Sequence, residues 1–257
     1  MIIQNMYVDN LLGGVEDLAD AKALYEFTKQ EFAKANMNLR EWASNIPEFE
    51  THVDRGDLAV LKETTKIFGI IWKPYSDALV FSSNNVSVVP PYTKRKVLNQ
   101  SASNYDLLGY LTPVFIKAKP FFQKLCVEKY EWDQVLSESL GHEWEEVANT
   151  WKDAIAIELP RFILSSDATK IQMHAFTDAS AICYAVAVYI RFCEKGERKS
   201  TLIFSKSRLK PCKEVTISRL ELLAVWIGVK ALEFVRSECQ LTVKKTILWT
   251  DSKCALD

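Results

Sequence analysis

The chain has 257 residues, 48% of them hydrophobic and 25% charged, with a formal net charge of −1. This composition excludes a disordered chain, and 8 Gly and 8 Pro are too few for collagen-like or low-complexity architecture. No stretch approaches the ~20 apolar residues of a membrane span, and MIIQNMYVDNLLGG has no basic region ahead of an apolar one, so the expected setting is intracellular, cytoplasmic or nuclear, with no signal peptide, transmembrane segment or membrane partner. Six cysteines without a C-x-x-C pair argue against a zinc or redox motif and predict reduced, mostly buried thiols. Near-neutrality argues against a nucleic-acid partner until the charge is located: it is −5 over residues 1–90, +5 over 91–127, −7 over 128–160 and +6 over 161–257. Residues 191–213 hold eight basic and two acidic side chains, which suits a polyanion or, equally, a solvated loop face.

In chain order, residues 17–35 place Leu18, Ala21, Leu24, Phe27 and Phe32 at roughly helical spacing, with Asp17 and Asp20 where the helix dipole favours negative charge. Lys66–Trp72 (KIFGIIW) and Ala78–Phe81 are strand-like runs joined through Pro74-Tyr75-Ser76-Asp77, which predicts a hairpin. From Tyr92 to about Lys152 the pattern is helical: Thr112 precedes Pro113 as a cap precedes a first-turn proline, Pro120 kinks or divides the helical stretch beyond it, and Leu140, Trp144, Val147 and Trp151 form an apolar stripe. Leu159-Pro160 marks a boundary. Beyond it, Lys170–Asp178, Ile182–Ile190 and Thr201–Ser205 are predicted strands, Ile217–Val235 a helix and Thr246–Thr250 a further strand. The helix stripe comprises Leu220, Leu223, Ala224, Ile227, Ala231 and Phe234.

Asp178 in HAFTDAS and Asp251 in ILWTDSK stand at the ends of predicted strands, where α/β folds collect ligand and catalytic groups. Glu221 flanks the helix stripe and is placed to point toward those strand ends. Three carboxylates brought together repel one another unless a cation neutralises them, and hard oxygen donors select Mg²⁺ or Mn²⁺. Two such ions activate water and stabilise the leaving oxygen of a phosphodiester. Taken singly, each acid is as readily a cap or a surface group.

The ordered set FTDAS, SKSRLKP, TISRLELLA and WTDS resembles the ribonuclease H domain of long-terminal-repeat retrotransposons, and SRLELLA looks most like the BEL/Pao lineage. The resemblance implies that Asp178, Glu221 and Asp251 bind two metal ions and cleave the RNA strand of an RNA–DNA hybrid. MYVDNLLGG is similar to the reverse transcriptase palm motif Tyr-x-Asp-Asp, NLREWASN and IFGIIWKPYSDALVF come next in the family's order, and KRKVLNQSASNYDLLGYLTPVFIKAKPFFQKL resembles its thumb and connection region. The resemblance thus implies a chain of α/β and α+β class: residues 1–90 the end of a palm with its hairpin, 91–165 a helical thumb/connection, and 166–257 a ribonuclease H-like mixed sheet truncated at its C-terminus. Its expected partners are an RNA–DNA hybrid or other nucleic acid and the remainder of a pol polyprotein.

The sequence departs from that pattern at Asn10, which stands where the second palm Asp belongs, beside a retained Asp9. A neutral amide cannot compensate a divalent cation as a carboxylate does, and the resemblance places the fingers and another catalytic Asp before residue 1, so polymerase activity is not expected. It likewise places a strand, a terminal helix and a fourth acid beyond Asp257, whose absence exposes a sheet edge and an apolar helix face. The rival readings are a catalytically dead nucleic-acid-binding remnant and an aspartic peptidase, a label carried by some relatives. Peptidase chemistry needs two carboxylates sharing a proton in Asp-Thr/Ser-Gly loops, and neither Asp178-Ala179-Ser180 nor Asp251-Ser252-Lys253 supplies the glycine. Lys206, Arg208 and Lys210 are candidates for phosphate contact. His142-Glu143-Trp144-Glu145-Glu146 lacks the second His of a zincin helix. His174 shares strand parity with Asp178, and a packed or exposed histidine is the stronger expectation over a catalytic one; Trp42, Trp72 and Trp226 are candidates for base stacking, with core packing the stronger expectation for all three.

Overall fold

The computed structural model describes residues 5–7, 10–60, 64–82, 89–151, 156–165, 167–239 and 241–255. They form two units, residues 1–80 with 158–161 and residues 81–157 with 162–257, of mixed α/β class. In the first, β1 (Met6–Tyr7) pairs antiparallel with β2 (Asn10–Leu11), Tyr7 opposite Asn10; Asp9 lies outside the described residues. Helix α1 (Leu18–Lys34) opens at Asp17, whose carboxylate accepts the Asp20 N–H at 2.9 Å. Its buried residues are Ala21, Tyr25 and Thr28, whereas Phe27, expected in the stripe, is 50% exposed. The Thr28 hydroxyl turns back to Leu24 O at 2.7 Å, which lets a polar residue sit inside. Helix α2 (Pro47–Glu50) brings Phe49 to the same core, where Trp42 packs edge-on to Tyr25 at 5.0 Å.

The predicted strand KIFGIIW is itself folded in two: β3 (Thr65–Ile67) and β4 (Ile70–Lys73) pair antiparallel around Phe68 and Gly69, with φ of 51° and 82°. Two successive left-handed residues are the signature of a tight hairpin turn, and the glycine supplies the second without a Cβ penalty. Strand β5 (Ala78–Ser82) comes next as expected, and β6 (Ala156–Pro160), ending on the Leu159-Pro160 step, completes the order β3-β4-β5-β6. Trp72 is buried, its indole N–H donating to Asp77 at 3.0 Å.

The second unit begins with helices α3 (Lys94–Ala102), α4 (Thr112–Phe115), α5 (Ala118–Val127) and α6 (Glu138–Asn149). Thr112 is the first helical residue rather than the cap, which falls on Leu111; the chain divides before Pro120, which lies in the first turn of α5. Val97, Phe121, Leu125, Trp144 and Trp151 form this layer's core, and the Trp144 N–H donates to Gln100 at 2.7 Å.

Strands β7 (Thr169–Ala179), β8 (Cys183–Glu194) and β9 (Glu197–Leu209) form an antiparallel meander, helix α7 (Ile217–Cys239) crosses over it, and β10 (Lys245–Trp249) returns parallel to β7. The order is β10-β7-β8-β9. Most of the basic run 191–213 therefore lies in two long strands, turning at Lys195 and Gly196, and is not a loop. Met173, Ala175, Val186, Val188 and Ile190 pack against Leu220, Ala224, Ile227 and Ala231. Phe234 is 51% exposed; Leu232 and Val235 take the place expected for it. Strand β9 is covered by the helical layer: Ser205 N–H donates to Leu108 O at 2.8 Å and its hydroxyl to Gly109 O at 2.6 Å. A Cβ on Gly109, whose φ is +82°, would lie 2.0 Å from Ser205 O, so the approach requires glycine. The six cysteines are free but not buried: Cys126, Cys212, Cys239 and Cys254 are exposed. No described helix is long and apolar enough to cross a membrane.

Candidate metal centre and family

Parallel pairing sets Trp249 beside Phe176, so β7 and β10 end at the same edge of the sheet. Asp178 is the penultimate residue of β7, and Asp251 lies two residues past β10. Because α7 delivers the chain to the start of β10, its own beginning lies over the strands' C-terminal ends, and Glu221 stands there in its second turn. The crossover sits close because Gly228 has no side chain; a Cβ there would meet Thr177 Cγ2 at 2.5 Å and Leu248 Cδ1 at 3.0 Å. Thr177 also donates its hydroxyl to Trp249 O at 3.0 Å. One side chain thus touches all three elements that carry the acids.

Asp178, Glu221 and Asp251 each present a carboxylate oxygen, and these oxygens all lie within 4.8 Å of one another. Asp178 and Asp251 are exposed and Glu221 is partly buried. Glu221 Oε2 is shut off from solvent and has no hydrogen-bond partner among the described residues. Burial, and next the negative charges of Asp178 and Asp251, push the Glu221 carboxyl above the ordinary range. An all-oxygen donor set with one unsatisfied buried oxygen fits a hard divalent cation.

The structure distributes the other candidates differently. The register puts Lys206 and Arg208 opposite Val186 and Tyr184, exposed on β9 and separated from β7 by β8; Lys210 lies just past the end of β9 and is also exposed. They do not share the carboxylate cluster. His174 is buried, its Nδ1 accepting the Trp249 indole N–H at 3.1 Å, and burial followed by Arg191 and Lys245 lowers its pKa, as suits a packed neutral imidazole. Trp42 and Trp72 are packed, whereas Trp226 is 51% exposed on α7, against expectation. His142 is exposed and contacts only the nearby carboxylate of Glu145, at 3.5 Å, among the ion pairs of the described residues.

Thr177 and Gly228 were not singled out by motif, nor were Phe176 and Trp249. The available signal for the last two was the repeated aromatic-Thr-Asp in HAFTDAS and ILWTDSK, which fixes their parity relative to each acid.

No curated protein matches the chain. A solved structure of a foamy viral protease–reverse transcriptase in complex with double-stranded DNA is similar at 14% identity and a TM-score of 0.42, over 81% of this chain and 36% of that one. Residues 93–252, more than half of the chain and including all three clustered acids, match the family model described as Pao retrotransposon-like RNaseH-like domain. The chain belongs to that family, a region of BEL/Pao-type retrotransposon pol polyproteins.

Proposed function

We propose that Asp178, Glu221 and Asp251 hold Mg²⁺ or Mn²⁺ for hydrolysis of the RNA strand of an RNA–DNA hybrid. The observation that carries this reading is the convergence of three carboxylate oxygens, from two strand ends and a helix, within 4.8 Å. A pair of such cations supplies an activated water and charge stabilisation at the leaving oxygen. The chain's own contribution is positional: Asp178 and Asp251 face solvent, open to a phosphate, while Glu221 closes the site from the helix side. Hybrid recognition then proceeds through backbone and helix shape, with Lys206, Arg208 and Lys210 as exposed phosphate contacts.

The reading extends to the whole chain as an organisation of three parts: a palm end with hairpin over residues 1–90, a thumb/connection over 91–165 and the ribonuclease H-like part over 166–257, working within the rest of a pol polyprotein. The antiparallel pairing of Met6–Tyr7 with Asn10–Leu11 supports the palm assignment, and Asn10 in place of a second acid supports a polymerase centre without activity, Asp9 in the sequence being its retained carboxylate.

The test is cleavage of an end-labelled RNA–DNA hybrid by the purified chain in Mg²⁺, Mn²⁺ or chelator. Cleavage that needs the cation and disappears in Asp178→Asn and Asp251→Asn is expected; equal cleavage in chelator sinks the mechanism. Binding of the hybrid without cleavage in either cation assigns the chain to the alternative, a catalytically dead nucleic-acid-binding remnant.

A further inference from the structure

We propose that Lys119, presented by helix α5 of the helical layer, is a substrate-binding residue that holds a phosphate of the cleaved strand next to the one engaged at Asp178. The proposal deepens the nuclease reading, on which it rests for the identity of the strand, by bringing to the site a cation that belongs neither to the sheet nor to α7.

Strand register carries Lys119 to the site. Asp178 on β7 lies opposite Ala185 on β8, and Ala185 lies opposite Ser207 on β9, so the three form one rung at the edge where β7 and β10 end. Residues directly opposite in an antiparallel pair point to the same face, so the Ser207 side chain leaves the sheet on the same side as Asp178. Lys119 Nζ donates to Ser207 Oγ at 3.1 Å and to Ser207 O at 3.4 Å, which pins the ammonium to that rung, two strands and about 10 Å from β7. The residue between them is Ala185, so no long side chain stands in the interval. Lys206 and Arg208 alternate with Ser207; they pair with Val186 and Tyr184, which pack in the core with α7, and so point away from the side that Lys119 occupies.

The ammonium is held in place but not neutralised. Both of its acceptors are uncharged, and an ammonium has three protons to donate, so at least one remains for an anion. Asp106 attracts it at longer range, yet that carboxylate is turned to the backbone N–H groups of Leu111, Gly109 and Tyr110, the first at 2.9 Å. Partial burial lowers the Lys119 pKa, as a cation without a bonded counter-charge requires. Nor is the lysine needed to hold the helical layer on β9, since Ser205 is bonded to Leu108 O and Gly109 O, and the Tyr110 hydroxyl donates to Leu202 O at 2.8 Å. A phosphodiester chain answers both ends of the rung. With a cation held by Asp178, Glu221 and Asp251, one phosphate is drawn to the acids and its neighbour to Lys119. A single small anion would satisfy one end only. Contact with phosphate positions the strand without reading its sequence, as hybrid recognition by shape requires.

The experiment uses the full chain and a labelled RNA–DNA hybrid, with binding followed by fluorescence anisotropy in chelator over a range of salt and cleavage followed at steady state in Mg²⁺. Lys119→Gln, which keeps a donor for Ser207 and loses the charge, is expected to weaken binding roughly three- to tenfold, to reduce the slope of log affinity against log salt by about 1, and to raise KM with kcat within about twofold of wild type. Lys119→Arg should restore the slope and KM. A single neutral methylphosphonate linkage in the RNA strand beside the bond to be cut should slow wild-type cleavage of that bond and leave Lys119→Gln indifferent. Ser207→Ala, which removes the anchoring hydroxyl and keeps the cation, should retain the wild-type salt slope. An unchanged slope in Lys119→Gln with a lowered Tm, matched by Ser207→Ala, would make Lys119 a strut between the layer and β9 and overturns the proposal. So does a dependence of Lys119 on neutral linkages in the DNA strand alone. Failure of the wild type to cleave in Mg²⁺ would sink the nuclease reading and leave the salt slopes in chelator standing, so the two failures are distinguishable.

Discussion

Asp57 in the first unit and Glu221 in the second are both acids drawn away from water, and their surroundings have opposite character. Asp57 is 7% exposed and accepts hydrogen bonds from Lys29 and from Asn38 Nδ2, the latter at 3.3 Å. The Lys29 hydrogen bond holds its carboxyl below the ordinary range, against the opposing effect of burial. Glu221 has an unpartnered buried oxygen, is pushed upward by burial, and faces two more carboxylates in place of a cation. The first acid is compensated by the chain's own Lys29, and the second has no such partner among the described residues. A buried charge left that way costs stability unless something bound from outside the chain compensates it.

Removing charge from the uncompensated cluster tests this contrast most severely. Asp178→Asn or Asp251→Asn is expected to lower cation-dependent hybrid cleavage roughly a hundredfold or more, about 3 kcal/mol of transition-state stabilisation. Because like charges are being separated, thermal stability in chelator is expected to hold or rise. A variant that loses activity only by unfolding would make these acids structural, like Asp57.

Next in size is the contact that brings the helix to the strands. Gly228→Ala places a methyl 2.5 Å from Thr177 Cγ2, and forcing α7 outward is expected to cost about 1–3 kcal/mol. Metal affinity, read by calorimetry, should fall with it, since Glu221 moves relative to both strand ends. Adding Thr177→Ser, which removes the opposing methyl and keeps the hydroxyl bonded to Trp249 O at 3.0 Å, should recover part of both losses. Full metal affinity in Gly228→Ala would show that the cluster does not depend on this approach.

These residues also mark where sequence reasoning ran out. The alternation of β7, the length of α7 and the positions of Asp178, Glu221 and Asp251 are set by local pattern, because side-chain period and element ends are local properties. Their convergence depends on parallel pairing of strands about seventy residues apart and on what opposes Gly228, neither of which leaves a local trace. The same limit explains three misplacements. KIFGIIW has strand composition throughout, and only the left-handed backbone at Phe68-Gly69 divides it. Phe27 and Phe234 are apolar at helical spacing, yet the neighbours that decide burial favour Tyr25 with Thr28 and Leu232 with Val235.

The compensated acid yields a smaller, local effect. Lys29→Met leaves Asp57 buried without its cation, at a cost of about 1–3 kcal/mol because the Lys29 side chain is 21% exposed and the pair is partly screened. Asp57 has a folded pKa lowered from 3.8, so its contribution is complete above that value and is lost as pH falls through the folded pKa. Amide exchange in α1 should therefore separate wild type from Lys29→Met at neutral pH, and the difference should close in acid. A pH-independent difference would assign the loss to packing of the lysine stem.

Glu221→Gln gives the smallest effect and the cleanest sign. An acid whose folded pKa lies above the ordinary 4.5 binds its proton more tightly when folded, so stability falls as pH rises from 4.5 through the folded pKa, and at neutral pH the charge is a cost. Without metal, Glu221→Gln should raise Tm at pH 7 by roughly 1–3 °C, and the gain should vanish below pH 4.5, where both states of the wild type are protonated. Saturating Mg²⁺ should reverse the order, because wild type gains RT ln(1 + [L]/Kd) and the amide variant gains less. If Glu221→Gln is the less stable protein in chelator at pH 7, Glu221 has a compensating partner after all and stands with Asp57. If its advantage survives Mg²⁺ unchanged, the cluster repels charge without binding the cation.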